Sequence, residues 1–559
     1  MRHSRPFRLA ILLLCGFGGL CGGRSAGAAV RDLPVTRLSL PLPGAPSELL
    51  AADLDGDARR DLLLFVAWSH WGEVGIEEET RLDDVAGLVE VMTVVPALLD
   101  RRELWLYRGD ADGGLATEPV RLEVGRTVHA LAVGPSFAPA LVLTDDGMAA
   151  VRWRPTEASN GRLELEPLVA ERTVLAGTEL FVAGLSLSGQ IDGAGDTDLL
   201  VPVERGLAIY LAETGGKLRQ SATVELPLDD PRDPQGRLVR NYPLPERRDL
   251  DGDGLPELLV QHPRRGWNEA VVLKNLGGGR FGPPRPAVRG LSLETHGKAG
   301  LERDVVFVGD LDGDSRAEAM TAETHEPGSD ASLGQGLDRA RRPRFRYRLS
   351  HLDADFAARG EPFGELEAEG HFIDGGESIG LPSGLQDLDG DGRLDLVTLT
   401  LDFSILQAAR VLATKRISIG VDFLVHCQSA PGRFRRVPGL DLSGKFQIDL
   451  DDLRLGRLSQ FAGDFDGDGR LDFLQLGRGR KVSVHRGGPG CTYPTQPDFE
   501  LELAEEPRDL ALTRVADWNG DGRADLAVVR PLAAAKDDPA GADVAVALDL
   551  YLSHLPGAK

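Results

Sequence analysis

The sequence predicts an all-β fold, a β-propeller of about eight four-stranded blades, with seven as the alternative count. Three observations carry this. An acidic turn recurs along the chain, as DLDGDGRLDLV from Asp387, DFDGDGRLDFL from Asp464 and DWNGDGRADLA from Asp517. Each copy runs straight into a short apolar segment. The copies are spaced by 59, 61, 77, 77 and 53 residues after a first step of 137, and periods of this order mark repeat architectures.

Residues 1–29 have the plan of a cleaved secretory signal. Arg2, Arg5 and Arg8 precede an apolar run from Leu9 to Leu14, and small residues lead on to Ala26 and Ala28. The run is too short to span a bilayer, and no later stretch approaches the ~20 apolar residues of a membrane helix. Cys15 and Cys21 come after Leu14 and Leu20 rather than small residues, which disfavours a lipid anchor. The chain is therefore expected to be secreted or periplasmic, with residues 30–559 forming one propeller. Without the signal, 59 Lys+Arg face 87 Asp+Glu, a net charge of −28. That balance argues against nucleic acid or anionic membrane as partner. Cys427 and Cys491 are the cysteines left after processing; export permits a disulfide, but two cysteines are not a disulfide framework.

The acidic turn places oxygen-bearing residues at positions 1, 3, 5 and 9. The full sets are Asp53, Asp55, Asp57, Asp61; Asp249, Asp251, Asp253, Glu257; Asp310, Asp312, Asp314, Glu318; Asp387, Asp389, Asp391, Asp395; and Asp464, Asp466, Asp468, Asp472. A sixth has Asp517, Asn519, Asp521 and Asp525, and a degenerate seventh keeps Gln190, Asp192 and Asp198 with Ala194 at position 5. Alternating oxygens on a curled loop can converge on one hard cation, and an oxygen-only set favours Ca²⁺ over zinc or copper. Gly at position 4 permits the sharp turn. Without a cation, carboxylates ~4 Å apart repel by roughly 1–4 kcal/mol per pair. About six Ca²⁺ sites are expected, and the Gln190 copy is expected to be a metal-free turn.

The residues after position 9 exclude a helical calcium loop, which has Gly at its sixth position and helices on both sides. Runs such as Leu62-Leu-Leu-Phe-Val66 and Leu258-Leu-Val260 read as buried strands, so the loop joins strands A and B of a blade. The first step of 137 is about twice the others, and a unit lacking the acidic loop fits from His129 to Trp153. Eight units then share 530 residues, about 66 each. In the seventh unit the strands are read as 458–462, 471–476, 482–486 and 499–503. The last unit ends after its third strand, 544–552, and Thr36–Leu42 is expected to supply the fourth and close the ring. Cys427 and Cys491 both come just after strand C, in units six and seven. They leave neighbouring blades at the same face and are expected to form a disulfide.

The loops resemble the FG-GAP/VCBS repeats of integrin α-chain heads and many secreted bacterial proteins. The resemblance rests on the D-x-D-G-D-G-x-x-D-L turns and on phrases such as Gly279-Arg-Phe-Gly282, taken as part of strand four. Ala58 and Ser315 depart from it by replacing the second loop glycine. It implies the propeller and calcium more firmly than any activity.

Long additions fall at 67–102, 323–343, 402–415 and 531–542, after strand B, and at 229–247, between blades. B–C and D–A connections emerge opposite the acidic A–B loops, so elaboration gathers on the face away from the calcium, where recognition of a protein or glycan partner is expected. The first addition holds Trp68, His70 and Trp71, which suit sugar stacking or a protein anchor but equally a plug for the channel. Residues 82–95 and 404–415 read as short helices. Gly376-Glu-Ser-Ile-Gly380 matches G-x-S-x-G but lacks the strand before and the helix after that make a nucleophile elbow. Arg108-Gly-Asp110 sits where a C–D turn belongs. The expected function is an exported calcium-binding scaffold or binding module. The alternative is a polysaccharide-active enzyme resembling rhamnogalacturonan lyases.

Overall fold

The computed structural model describes residues 30–554 except 45, 69–100, 111–113, 126, 133–139, 157–158, 174–183, 195–196, 214–215, 228–242, 263–265, 292–300, 326–340, 374–382, 403–415, 439–441, 450–453, 458–459, 477–479, 506–512 and 532–545. Within them the strands pair into eight blades. Blade one shows the plan, with strand A at Pro46–Ala52, B at Asp61–Trp68, C at Arg101–Tyr107 and D at Val120–Val124, each antiparallel to the next. Blade two, which has no acidic A–B turn in sequence, keeps the same order at Val128–Ala132, Leu141–Thr144, Gly147–Thr156 and Ser159–Ala170.

Why the B strands read as unbroken apolar runs is plain from the packing. Successive side chains of a strand point to opposite faces, and in a ring each blade face meets a neighbour. Leu63 and Phe65 pack with Leu131 and Val142 of blade two, while Leu62, Leu64 and Val66 pack with Ala527 and Val529 of blade eight. Eight hydrophobic clusters are present among the described residues, one at each junction between consecutive blades. The core is thus a ring of interfaces rather than one centre.

Closure is antiparallel. Val35–Leu42 pairs with Val546–Ser553 over its whole length, Thr36 opposite Leu552 and Leu42 opposite Val546, so the N-terminal strand is the fourth of blade eight. The chain reaches further than expected, because Arg31–Asp32 also pairs, in parallel, with the outer strand Phe499–Glu502 of blade seven. The N-terminus therefore ties two blades. Blade six is larger than the repeat predicts, with Leu442–Asp449 and Arg454–Arg457 forming its outer strands.

One strand assignment is corrected. Gly279-Arg-Phe-Gly282 lies in the C–D turn of blade four, before strand D at Arg285–Pro286. Asn275 and Phe281 form an isolated bridge there, and Gly282 N–H donates to Lys274 O at 2.8 Å. The tight turn lets Phe281 reach the apolar junction of blades three and four. Strand B ends and strand C begins at 68 and 101 in blade one, 325 and 344 in blade five, 402 and 416 in blade six, and 531 and 546 in blade eight. His70, Trp71, residues 82–95, 376–380 and 404–415 lie outside the described residues. Among the described residues no helix is long and apolar enough to cross a membrane.

Candidate metal centres

Each acidic turn is folded by its own first carboxylate. In blade seven, Asp464 Oδ1 accepts the N–H of Gly467 at 2.6 Å and of Asp468 at 3.1 Å, and Oδ2 accepts that of Gly469 at 2.6 Å. The same bonds from positions 4 and 6 recur on Asp53, Asp249, Asp310, Asp387 and Asp517. They require a left-handed backbone at position 4, where Gly467 has φ of 77°. Position 6 is left-handed too, including Ala58 at 67° and Ser315 at 64°, the two residues that replace glycine there.

Position 9 does a different job. Asp61, Glu257, Glu318, Asp395, Asp472 and Asp525 are fully buried at the start of strand B. One oxygen of each accepts the N–H of position 2, as from Phe465 to Asp472 at 2.8 Å. The other accepts from the residue that opens the C–D turn, as from Gly487 N–H to Asp472 at 2.8 Å and Gln428 N–H to Asp395 at 2.7 Å. In blade five His351 Nδ1 takes that place, 3.2 Å from Glu318. This carboxylate pins the A–B and C–D turns together on one face. Asp198 of the degenerate loop does the same with Ile191 and Ala212 at 2.8 and 2.9 Å, although positions 1 and 5 there lack acids. Position 9 therefore serves the fold whether or not a cation binds, and offers a cation only the lone pairs its amide partners leave over.

The loops are also chained to one another, which the sequence pattern does not show. In four loops position 8 donates its N–H to the preceding blade: Ala317 to Leu250 O at 3.0 Å, Leu394 to Leu311 O at 3.0 Å, Leu471 to Leu388 O at 3.1 Å and Ala524 to Asp464 O at 2.7 Å. Across the closure the Arg60 side chain donates to Asp517 O at 2.7 Å, and Asn275 Nδ2 reaches Ile191 O at 2.8 Å. Six of the eight junctions are linked this way; the two flanking blade two lack an acidic loop on one side. The approach is close enough that a Cβ added to Gly390 would stand 2.6 Å from Gly469 O in the next loop.

Sequence reasoning missed the counter-charges. The residue after strand C reaches position 3 from Arg108 to Asp55, Lys274 to Asp251 and Arg486 to Asp466, and the position-7 arginines Arg59, Arg393 and Arg470 pair with Asp57, Asp391 and Asp468. The arginine two residues after position 5 is a signal that could have found the second group; the cations after strand C stand 53, 23 and 20 residues from their acids and share no fixed offset. Arg108-Gly-Asp110 is absorbed in this way, Arg108 on Asp55 and Gly109 N–H on Asp61 at 2.8 Å.

The remaining oxygens suit a cation. Carboxylate oxygens of Asp53, Asp55 and Asp57 lie within 4.8 Å of one another, as do those of Asp249, Asp251 and Glu257 and of Asp310, Asp312 and Asp314. Asp389 Oδ1 and Asp466 Oδ1, both at position 3, are buried with no hydrogen-bond partner. A buried carboxylate oxygen left unpaired is costly, and a hard cation among the neighbouring acids would satisfy it. Burial, aided by the neighbouring acids, pushes Glu257, Glu318, Asp395 and Asp472 up to about 7, and burial alone pushes Asp525 up to about 6. In blades six and seven, Cys427 and Cys491 are bonded as a disulfide with Cα atoms 5.7 Å apart, as their position after strand C predicts.

Fold and loops together define the class, a closed propeller with acidic Asp-Gly loops at six of its A–B turns. Residues 461–528 match a family model described as FG-GAP-like repeat. The matched stretch holds the Asp464 and Asp517 loops and carries the FG-GAP-like repeat pattern. No curated protein matches the chain. Solved structures similar to it include an Agrocybe aegerita lectin described as recognising non-reducing terminal N-acetylglucosamine, at 14% identity, covering 72% of this chain and 88% of that one, TM-score 0.33. A Lactobacillus plantarum protein is similar at 11% identity, covering 72% and 93%, TM-score 0.28. The V. cholerae biofilm matrix protein Bap1 is similar at 12% identity, covering 95% and 89%, TM-score 0.22. At such scores the likeness is coarse, and the propeller is defined by this chain's own strand pairing.

Proposed function

We propose that the chain is an exported, calcium-loaded propeller that acts as a binding scaffold and presents the connections opposite its acidic loops to a protein or glycan partner. The observation that carries the calcium reading is the pair of buried, unpartnered oxygens on Asp389 and Asp466, each set among further carboxylates. Positions 1, 3 and 5 would hold the ion and position 9 would orient them. Calcium there supplies positive charge where four acidic residues meet and so fixes the turn. The binding reading is supported by topology. Position 9 ties the A–B to the C–D turns, so the ends of strand B and the starts of strand C in blades one, five, six and eight lie at the other face.

The test is capture of glycans and proteins by residues 30–559 in calcium, compared with a chain in which 69–100 and 403–415 are replaced by short turns. Binding lost with the replaced connections but kept in Asp464→Ala at saturating calcium is the expected result. Cleavage of a galacturonate polymer with release of unsaturated ends would contradict the scaffold reading and favour the lyase.

A further inference from the structure

The sixth loop differs from its neighbours in what balances position 3. In blades one, four and seven the residue just after strand C is a cation on that carboxylate: Arg108, Lys274 and Arg486. In blade six that place belongs to Cys427, which is bonded across the junction to Cys491 of blade seven. The bond holds the turn from Gly488 to Tyr493 over the sixth loop. There Gly490 N–H donates to Asp389 Oδ2 at 2.8 Å, with the Cys427 sulfur 3.8 Å from the same oxygen. The Tyr493 hydroxyl donates to Leu471 O at 2.9 Å and fixes the far side of the turn. Asp389 Oδ1, the other oxygen, is buried and unpartnered. Cys491 itself has φ of 51°, a left-handed backbone that a non-glycine residue keeps only where its surroundings hold it.

We propose that the Cys427–Cys491 bond and the Gly490 amide it delivers are positioning elements for calcium at the sixth loop. They stand in for the cation of blades one, four and seven. An amide N–H orients Asp389 as a guanidinium would, yet it adds no positive charge beside the ion. The sixth loop therefore keeps the full charge of Asp389 for calcium, with Arg393 on Asp391 as its counter-charge, and binds calcium more tightly than loops one and seven, where cations sit on both position 3 and position 5. The position-7 arginine does not offset this, since Arg59, Arg393 and Arg470 occupy loops one, six and seven alike. Breaking the disulfide frees the Gly490 turn and weakens this one site, because partners that orient a ligand typically govern about 10–100-fold in metal affinity.

This inference rests on the proposed calcium binding, and the experiment separates the two. Calcium is titrated calorimetrically into residues 30–559, with bound ions counted by native mass spectrometry. The wild type is compared with Asp389→Asn, with Cys427→Ala/Cys491→Ala, and with folded wild type treated with a water-soluble phosphine. The phosphine converts the two sulfurs to thiols and becomes its oxide, so the comparison stands even where the double variant does not fold. The expected result is that Asp389→Asn and loss of the disulfide weaken the same single, tight site by about tenfold or more and leave the others unchanged. Affinities that overlay with and without the disulfide would overturn the inference while leaving the calcium reading intact. No calcium bound by the wild type would overturn both.

Discussion

Ala58 and Ser315 hold φ of 67° and 64° at a loop position filled by glycine in loops four, six, seven and eight. A left-handed backbone costs a side-chain-bearing residue roughly 1–2 kcal/mol, partly offset by the greater unfolded freedom of glycine. Ala58→Gly and Ser315→Gly should each stabilise the chain by about 0.5–1 kcal/mol in denaturant melts. Gly390→Ala should do the reverse, because its Cβ would meet the Gly469 carbonyl. Position 9 gives a second expectation. Asp472→Asn replaces a carboxylate that accepts both Phe465 and Gly487 N–H by a side chain with one acceptor oxygen, leaving a buried amide unpaired at a cost of about 1–3 kcal/mol. That loss should persist in excess calcium. Asp464→Ala should cost stability without calcium, since three backbone N–H groups lose their acceptor, and cost more when calcium is present, while Asp192→Ala should change little. At this scale the sequence spacing of 1, 3, 5 and 9 was legible as one acidic set. Its division of labour was not, since whether Asp472 faces an ion or two amides depends on a C–D turn fifteen residues away.

Each acidic loop carries one buried carboxylate at position 9. Burial raises Glu257, Glu318, Asp395 and Asp472 to about 7 and Asp525 to about 6, all above their unfolded values near 4. A group whose folded pKa is raised binds protons more tightly when folded. Its contribution is therefore present at low pH and lost as pH rises through the folded value. The metal-free chain should lose stability as pH rises from about 4 to about 7, whereas calcium, which favours the charged carboxylates, should flatten the curve. The gap in Tm between calcium and chelator should widen with pH; parallel curves would contradict the placement of these acids beside an ion. At the junction of blades six and seven, the disulfide closes a sequence separation of 64 residues. Its reduction should cost about 2–4 kcal/mol. The strands were legible as short apolar runs, because both faces of every blade are covered. The wrong placement of Gly279–Gly282 in strand D shows the limit. An aromatic in a tight turn can reach a junction as a strand residue does, and periodicity does not distinguish them over four residues.

The whole molecule is a ring whose closure was readable, since a last blade lacking a strand and an N-terminal strand without a blade complete each other. The extra tie of Arg31–Asp32 to blade seven was not, because two residues carry no pattern. Nor was the chain of backbone bonds from loop to loop, which arises from the curvature that brings position 8 of one loop over the first positions of the loop before it. That chain would make the proposed calcium a property of the ring. At ~1 mM free ion and dissociation constants of about 10⁻⁴–10⁻³ M, each site adds roughly 0.4–1.4 kcal/mol. Six sites then add about 2–8 kcal/mol, comparable with the ~5–15 kcal/mol net stability of a domain. The most direct test is the thermal unfolding of residues 30–559 in 1–2 mM calcium, in excess chelator, and after calcium is restored. A markedly lower Tm in chelator, shifting as one cooperative transition and recovering on readdition, is the predicted result. Melting curves that overlay in all three conditions would show these loops to be acidic turns held by their own backbone, and would contradict the account.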